Sequence, residues 1–375
     1  MIRIERRLQQ PRWLSAAVPA GSLVFAFVAM AIVLLATRHD PLTTYRRLFD
    51  AGFIAKGALS STFTSATPLV FTGLAAAAAF RMQLFNIGGE GQLYFGAIGA
   101  AAAGIALSGA PTAVHIVAMC AAGAVAGAAW ALIPAILRAF FSTNEIITSL
   151  MLNYVAGLIL NYLIFDSHSY WRDTTSPSAK VFPQGKTLPA AASWPESTLH
   201  VGTTIIVPFG FFLVAAIALG LWFLYQRTRF GFEMQVIGDS PRAARYAGMR
   251  TRRKILAVMA ISGAIAGMGG SSQDGDFRHL LDPRGLQQSA YGYTGIVVAA
   301  LARYNPFAVV LVGFLLGGLQ NAGYTLQGAD FPSGLVGVMQ GMILFSALGG
   351  ELLVRYRFRF GREPRHTAAP SVEPA

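Results

Sequence analysis

Residues 91–137 read GQLYFGAIGAAAAGIALSGAPTAVHIVAMCAAGAVAGAAWALIPAIL, and none of these 47 side chains is an aspartate, glutamate, lysine or arginine. A helix needs about 20 predominantly apolar residues to cross the hydrocarbon core of a bilayer, so the stretch is long enough for two crossings. The sequence SGAP at 108–111 supplies a turn between them. We therefore predict two adjacent transmembrane helices here.

The composition of the whole chain agrees with this local signal. Hydrophobic residues make up 54% of the 375 positions and charged residues only 12%, whereas about a quarter of the residues in a soluble domain are charged. The single cysteine, Cys120, excludes both an intramolecular disulfide and a cysteine metal cluster. We predict a membrane protein with no metal site and no catalytic residues.

Apolar stretches of spanning length set the fold class. They predict an all-α polytopic membrane protein with about ten transmembrane helices, or eight to ten if the regions 81–92 and 285–302 are broken or re-entrant. The predicted spans are 13–37, 57–80, 91–137 (two spans), 146–165, 197–226, 255–273, 285–302, 304–329 and 331–350.

Basic residues predict the orientation. Residues 226–254 hold eight lysines and arginines against two acids, and basic side chains also cluster before 13 and after 350. Because cytoplasmic loops carry the excess of Lys and Arg, we expect a cytoplasmic N-terminus at 1–12, a transmembrane domain at 13–350 and a cytoplasmic tail at 351–375. The loop 166–201 balances three bases against three acids and is expected outside, while 226–254 is expected inside.

Four G-x-x-x-G pairs predict close helix packing, because small residues let two backbones approach. The pairs are Gly123 with Gly127, Gly263 with Gly267, Gly313 with Gly317, and Gly337 with Gly341.

The stretch GDSPRAARYAG at 238–248 predicts a helix of about two turns within an otherwise irregular basic loop. Asp239 or Ser240 is suited to the N-cap, Pro241 to the first helical position and Gly248 to the stop. Such a short helix is not stable alone in water, so we expect it to dock, either on membrane headgroups or on a partner.

The stretch FNIGGEGQ at 85–92 puts three polar side chains beside glycines in an apolar region. Non-helical backbone at membrane depth is tolerated only where it is buried in protein or lines a water-filled cavity. Asn86, Glu90 and Gln92 are therefore candidates for the substrate pathway, and the alternative is a hinge in which they satisfy the backbone of a broken helix.

Further polar residues lie within predicted spans. Asn153 and Tyr154 in the span 146–165 are pathway candidates, and Gln320 and Asn321 are weaker ones. Ser142 and Glu145 fit a capping box at the start of that span. The charged segment 271–288 is expected to be an external loop, either solvated or docking another protein.

Four segments together resemble the permease subunits of ATP-binding-cassette (ABC) importers, in the ribose, xylose and branched-chain amino-acid permease family and closest to its nucleoside branch. They are FNIGGEGQ at 85–92, TNEIITSLMLNY at 143–154, GFEMQVIGDSPRAARYAGM at 231–249 and SGAIAGMGG at 262–270. The similarity covers about 57–350.

The resemblance implies that the short helix is the coupling helix of an importer and sits in a groove of an ATPase subunit. The residues that would shape it are Gly238, Pro241, Ala243, Ala244 and Gly248. The chain lacks the G-x-x-x-x-G-K-[ST] phosphate-binding motif, so it would bind no cofactor itself and would depend on ATP hydrolysed by a partner.

The implied partners are the ATPase, a second permease subunit (a related chain or another copy), an extracytoplasmic solute-binding protein and the lipid bilayer, with no nucleic acid. The implied location is the bacterial plasma (inner) membrane, and the implied activity is alternating-access import of nucleosides. Two alternatives are an ABC permease for simple sugars such as ribose and a secondary transporter that needs no ATPase.

Overall fold

The computed structural model describes residues 2–6, 12–201, 203–327 and 334–360, and its architecture is helical. The end of the predicted tail, from 361 onward, lies outside the described residues. The α-helices are α1 Arg12–Ala36, α2 Pro41–Phe49, α3 Ala58–Phe80, α4 Gly89–Ala106, α5 Thr112–Phe141, α6 Glu145–Asn161, α7 Pro177–Val181, α8 Phe209–Arg227, α9 Arg229–Asp239, α10 Pro241–Tyr246, α11 Thr251–Ser272, α12 Pro283–Ser289, α13 Tyr291–Leu301, α14 Pro306–Leu326 and α15 Gly334–Arg355.

Short irregular helices and four strands complete the described secondary structure. π-Helical turns extend α2, α6 and α11 over Asp50–Ile54, Tyr162–Asp166 and Gln273–Arg278, and a 3-10 turn covers Ala190–Ala192. The strands are β1 Ile2–Arg6, β2 Glu196–Val201, β3 Thr203–Pro208 and β4 Tyr356–Phe360.

Six helices in the described part of the chain are long and apolar enough to cross a membrane. A seventh crossing is obtained if Val24–Ala36 and Pro41–Ile54, which meet at a bend of 118°, count as one broken span. The protein is thus a polytopic helical membrane protein, but length and composition do not confirm the predicted count of eight to ten. The six are Ala58–Phe80, Thr112–Phe141, Glu145–Asp166, Phe209–Arg227, Thr251–Arg278 and Pro306–Leu326.

The apolar stretch 91–137 folds as predicted into two helices. The first of them, α4, ends at Ala106, and α5 begins at Thr112 after the predicted turn. Pro111 is extended at the start of α5, where a proline costs no helical hydrogen bond.

Two predicted spans are not continuous helices. The range 197–226 begins as the antiparallel hairpin β2–β3, because its β-branched run Thr204–Val207 favours a strand and Pro208 delays the helix. The range 285–302 divides into α12 and α13 at Ala290, whose φ of 47° interrupts the helix. The break in 285–302 agrees with the expectation that this region could be broken or re-entrant, whereas the hairpin in 197–226 was not expected.

The segment 271–288 is not a solvated loop, contrary to our expectation. Its first half continues α11 as a π-helix, in which Asp274 is 0% exposed and Asp276 is 8% exposed. The Oδ2 atom of Asp276 accepts hydrogen bonds from the Ser272 hydroxyl at 2.9 Å and the Gly210 amide at 3.0 Å. This segment joins α11 to the start of α8 inside the protein.

Helix α11 is the centre of the bundle and packs against α3, α4 and α5. The predicted glycine faces explain the closest crossing: a methyl group added at Gly267 would collide with the Gly123 carbonyl, and one at Gly127 with the Gly263 carbonyl. A third pair, Gly313 and Gly317, faces α3 in the same way. The fourth pair, in α15, has no atom within 4 Å of such a methyl group among the described residues.

The two ends of the described chain meet. Strand β1 pairs antiparallel with β4, from Ile2 opposite Phe360 to Arg6 opposite Tyr356.

Candidate functional site

The stretch FNIGGEGQ lies at a real break in the helical structure. Helix α3 ends at Phe80, the chain is non-helical to Ile87, and α4 starts at Gly89. Gln83 adopts a φ of 58° in this turn. The break precedes the glycines, and Gly91 serves close packing instead, because a side chain there would meet Trp130 and Asn153.

Asn86 and Gln92 form a reciprocal amide pair across this break. The Asn86 Nδ2 donates to Gln92 Oε1 at 3.0 Å, and Gln92 Nε2 donates back to Asn86 Oδ1 at 2.9 Å. Asn86 also donates to the Ser262 hydroxyl of α11 at 2.9 Å and accepts from the Gly88 amide at 3.0 Å. Both side chains are buried, so these bonds fix the non-helical turn onto the central helix.

Asn153 attaches the same turn to α6. Its Oδ1 accepts from the Gly91 amide at 2.9 Å and its Nδ2 donates to the Ile87 carbonyl at 2.8 Å. Ser149, one turn earlier, accepts from the Ile87 amide at 3.2 Å. The amide of Asn153 thus replaces the helical hydrogen bonds that the break removes.

Glu90 connects the break to the second interrupted helix. Its Oε1 accepts from the Tyr94 hydroxyl at 2.7 Å, and its Oε2 accepts from the Gly292 amide at the start of α13. The first amides of a helix have no partner within the helix and favour a negative charge. Glu90 therefore caps α13, and Gly292 leaves room for it because any side chain there would collide with Glu90.

Four of the five predicted pathway residues thus come together, and the fifth does not. Tyr154 is 63% exposed, whereas Asn86, Glu90, Gln92 and Asn153 are each at most 3% exposed. We call these four the hinge cluster. Their hydrogen bonds run to one another, to neighbouring side chains and to the backbone, which is the arrangement expected of a hinge.

The capping box predicted at the start of α6 is wrong. Asn144 is the N-cap and accepts from the Ile146 amide at 2.9 Å, while Ser142 ends α5 with a φ of 56°. Glu145 instead forms an ion pair with Arg138 of α5, with 3.2 Å between Oε2 and Nε. Sequence spacing did not indicate this pair, because it depends on the sharp turn between the two helices.

The second predicted site, the short helix α10, forms with the expected caps. The Ser240 hydroxyl accepts from the Ala243 amide at 3.3 Å, Pro241 occupies the first turn, and Gly248 has a φ of 75°. The preceding segment is not irregular, however. It forms the amphipathic helix α9, which contains Gly238 packed against Arg81 and Met82 at the end of α3.

The faces of α10 differ in exposure. Ala244 is fully buried against the protein, while Ala243 is exposed and Tyr246 is 94% exposed. The sequence analysis missed Tyr246, although a large aromatic residue on a two-turn helix is a signal for a contact. Helix α9 places Gly238 at the end of α3, next to the turn that holds the hinge cluster.

A basic cavity of about 760 Å³ lies beside α10. Arg229, Arg250 and Arg253 line it, together with Lys254, whose Nζ is 2.7 Å from Glu233. This cavity and the exposed face of α10 form one surface, which we call the coupling surface. In the described part of the chain, no three His, Cys, Asp or Glu side chains are grouped to hold a metal ion.

The bundle of apolar helices, with its interrupted helices and an exposed short helix at one end, is that of a polytopic membrane protein. Residues 58–348 match the family model of the permease component of branched-chain amino acid transport systems. The chain belongs to this family and is a permease subunit of an ABC importer.

Relatives of known name agree with this family. The glucose ABC transporter permease protein TsgB13 of Haloferax volcanii is 30% identical over 99% of this chain and 97% of its own length. The guanosine ABC transporter permease protein NupP of Bacillus subtilis is 33% identical over 87% of this chain and 91% of its own. The nucleoside ABC transporter permease protein NupB of Lactococcus lactis is 29% identical, over 88% and 89%. No solved structure gives a significant match.

Proposed function

We propose that this chain is the membrane subunit of a nucleoside importer. The observation that carries the proposal is its similarity to the guanosine permease, at 33% identity over 87% of this chain. The nucleoside permease of Lactococcus lactis, similar over 88% of the chain, supports the same substrate class. So does the resemblance at 85–92 and 143–154, the segments that build the hinge cluster.

A sugar is the second candidate substrate. The glucose permease is similar over 99% of this chain, which is a larger share than either nucleoside permease covers. Sugars and the ribose of a nucleoside require the same hydroxyl and amide partners. A nucleoside adds a flat base, which also requires aromatic contacts.

The test is uptake of radiolabelled guanosine, uridine, ribose and glucose by cells that express this chain with its neighbouring ATPase and binding-protein genes. We expect uptake of the nucleosides. Uptake of ribose or glucose alone would assign the chain to sugars, and nucleoside uptake that continues without the ATPase would show a secondary transporter.

The proposed coupling element is α10, which would dock in a groove of the ATPase subunit. Tyr246, Ala243 and Pro241 are exposed and available for this contact, while the buried Ala244 transmits motion into the permease. The neighbouring basic cavity matches an acidic rim on a partner. In this proposal ATP is bound and hydrolysed only by that partner.

We further propose ten crossings, with both termini in the cytoplasm of a bacterial cell and the chain in its inner membrane. Helix α4, the interrupted pair α12–α13 and helix α15 would add three crossings to the seven already described. The pairing of β1 with β4 supports an even number. The excess of basic residues at 226–254 supports a cytoplasmic coupling surface.

The proposed complex contains a second permease subunit, either a related chain or another copy, and an extracytoplasmic binding protein that delivers the nucleoside. The family supports partners of these kinds in general terms. ATP-driven closure of the ATPase subunits would switch access between the two sides of the membrane.

A further inference from the structure

A polar cleft opens at the end of the bundle opposite the coupling surface. It has a volume of about 660 Å³, within the range of roughly 300–1,000 Å³ that small-molecule sites occupy. Helices α3, α12 and α14 and the π-helical turn after α11 contribute to it. Side chains that line it and matter here are Ser61, Ser65, Phe277, Gln288, Asn321 and Tyr324.

The cleft reaches below the ends of its helices. Ser65 lies seven residues after the start of α3, and Asn321 lies five residues before the end of α14. At a rise of 1.5 Å per residue, these positions are about 8–10 Å from the helix ends. Ser65 is partly exposed at this depth, and a polar side chain there is costly against lipid, which favours a water-accessible wall. Asn321 is buried, and its Nδ2 donates to the Ala51 and Ala58 carbonyls.

The lining offers hydrogen-bonding groups and aromatic faces together. Gln288 is exposed and presents both a donor and an acceptor. The Tyr324 hydroxyl accepts from Gln320 Nε2 at 3.4 Å, which leaves its own proton available to a ligand. Phe277 and Tyr324 are 53% and 47% exposed, and the Arg278 guanidinium lies 5.4 Å from the centre of the Phe277 ring. The exposed faces of both rings can contact a flat base.

The charges around the cleft are largely satisfied within the protein. Arg278 pairs with Asp282 at 2.5 Å between Nη1 and Oδ2. The Arg284 guanidinium lies 4.0 Å from the centre of the Phe182 ring and 5.2 Å from that of Phe165. Asp282 neutralises Arg278, so among the residues that line the cleft Arg284 is the cation without a carboxylate partner. One positive charge does not balance the charge of about −1.5 to −2 on a phosphate monoester, so the cleft favours a neutral ligand over a phosphorylated one.

One short segment connects this cleft to the hinge cluster. Ser289 and Tyr291 line the cleft, and Gly292, the next residue, donates to Glu90. The backbone of the same segment accepts from Gln320 Nε2 at 3.3 Å and from the Thr72 hydroxyl at 2.9 Å. A ligand in the cleft therefore contacts the break between α12 and α13, next to the Gly292 amide that Glu90 holds.

We propose that this cleft is the nucleoside-contacting site of the permease, and that it accepts the neutral nucleoside and not its phosphate ester. The inference rests on the proposed function for its ligand class. The substrate contacts are therefore assigned to Gln288, Tyr324 and their neighbours. The hinge cluster is not assigned this role, because its polar atoms are already hydrogen-bonded within the protein.

The first test is uptake kinetics in the full complex with its ATPase and binding protein. Tyr324→Leu should raise the KM for guanosine about tenfold, since loss of one stacking contact weakens nucleobase binding by that order. Gln288→Ala should raise it about fivefold, through loss of a hydrogen bond. Both variants should change the maximal rate less than twofold. Tyr162→Leu, a change at a tyrosine that is 58% exposed and outside the cleft, is the matched control. Guanosine monophosphate should not compete.

If both cleft variants keep the wild-type KM while the wild type takes up nucleosides normally, the cleft is not the nucleoside-contacting site. That result would leave the proposed function intact. Competition by guanosine monophosphate as strong as by guanosine would overturn its preference for a neutral ligand. A wild-type complex that transports sugars but no nucleoside would overturn the proposed function and the ligand class together.

A second test does not depend on transport by the variant. Cys120 is the only cysteine, so a Ser61→Cys change adds one thiol at the rim of the cleft. A membrane-impermeant maleimide should label it from outside, and saturating guanosine should slow the labelling at least threefold, while the parent chain reports any labelling of Cys120. Labelling that guanosine does not slow would contradict the proposal.

Discussion

Removal of the Asn86 side chain distinguishes a structural role of this residue in the hinge cluster from a role in binding substrate. In Asn86→Ala the Gly88 amide and both polar atoms of the Gln92 side chain lose their partner, and Gln92 is only 1% exposed. Side-chain hydrogen bonds within membranes contribute about 0.6–1.7 kcal/mol each. For three groups left unpaired we expect a loss of about 2–5 kcal/mol in the free energy of unfolding.

Asn161→Ala is the matched control, because Asn161 also forms a reciprocal amide pair, with Gln287 at 2.9 and 3.5 Å, but is partly exposed. Its Gln287 partner can turn to water, so we expect a loss below about 1 kcal/mol. The assay is SDS-induced unfolding in mixed micelles, followed by tryptophan fluorescence. Equal losses in the two variants would refute the hinge, and a stable Asn86→Ala protein with a raised KM would instead make Asn86 a substrate contact.

Further predictions concern packing and charge. Gly267→Ala should destabilise the protein by about 1–3 kcal/mol in the same assay, because the added methyl group meets the backbone of α5. Gly341→Ala is the control: its methyl group meets nothing within 4 Å among the described residues, so this variant should be as stable as the wild type or more stable. A larger loss in Gly341→Ala than in Gly267→Ala would contradict the close crossing of α5 and α11. Arg138→Ala should cost about 1–2 kcal/mol because it leaves the largely buried Glu145 carboxylate unpaired. Arg138→Lys should recover part of this loss, and Glu145→Gln should cost less stability than Arg138→Ala. If Arg138→Ala and Glu145→Gln were equally stable, the ion pair would not contribute as described.

Features of the fold that depend on a few neighbouring residues could be predicted from the sequence. The turn at 108–111 and the caps of α10 follow from proline, glycine and serine at fixed positions, and the structure has them there. Three of the four glycine pairs also lie at helix contacts. These features involve few residues and strong conformational preferences, so one sequence is enough to indicate them.

The errors arose where long-range contacts decide the structure. The hairpin β2–β3 lies in an apolar stretch that was predicted to be part of a transmembrane helix. The segment 271–288 was expected to be solvated because the burial of Asp276 depends on the Gly210 amide, which comes from the distant helix α8. The hinge cluster was found from its residue types, but its contacts with α6, α11 and α13 could not be obtained from spacing.

The central claim is that this chain imports nucleosides with ATP hydrolysed by a separate subunit and coupled through α10. The most direct test is guanosine accumulation in proteoliposomes that contain the complete complex, with wild-type chain or Gly248→Pro. The φ of 75° at Gly248 is closed to proline, and its amide, which donates to the Arg245 carbonyl at 3.0 Å, would be lost. We predict ATP-dependent accumulation above the external concentration by the wild type and none by the folded variant, whereas equal accumulation by both, or accumulation without ATP, would contradict the account.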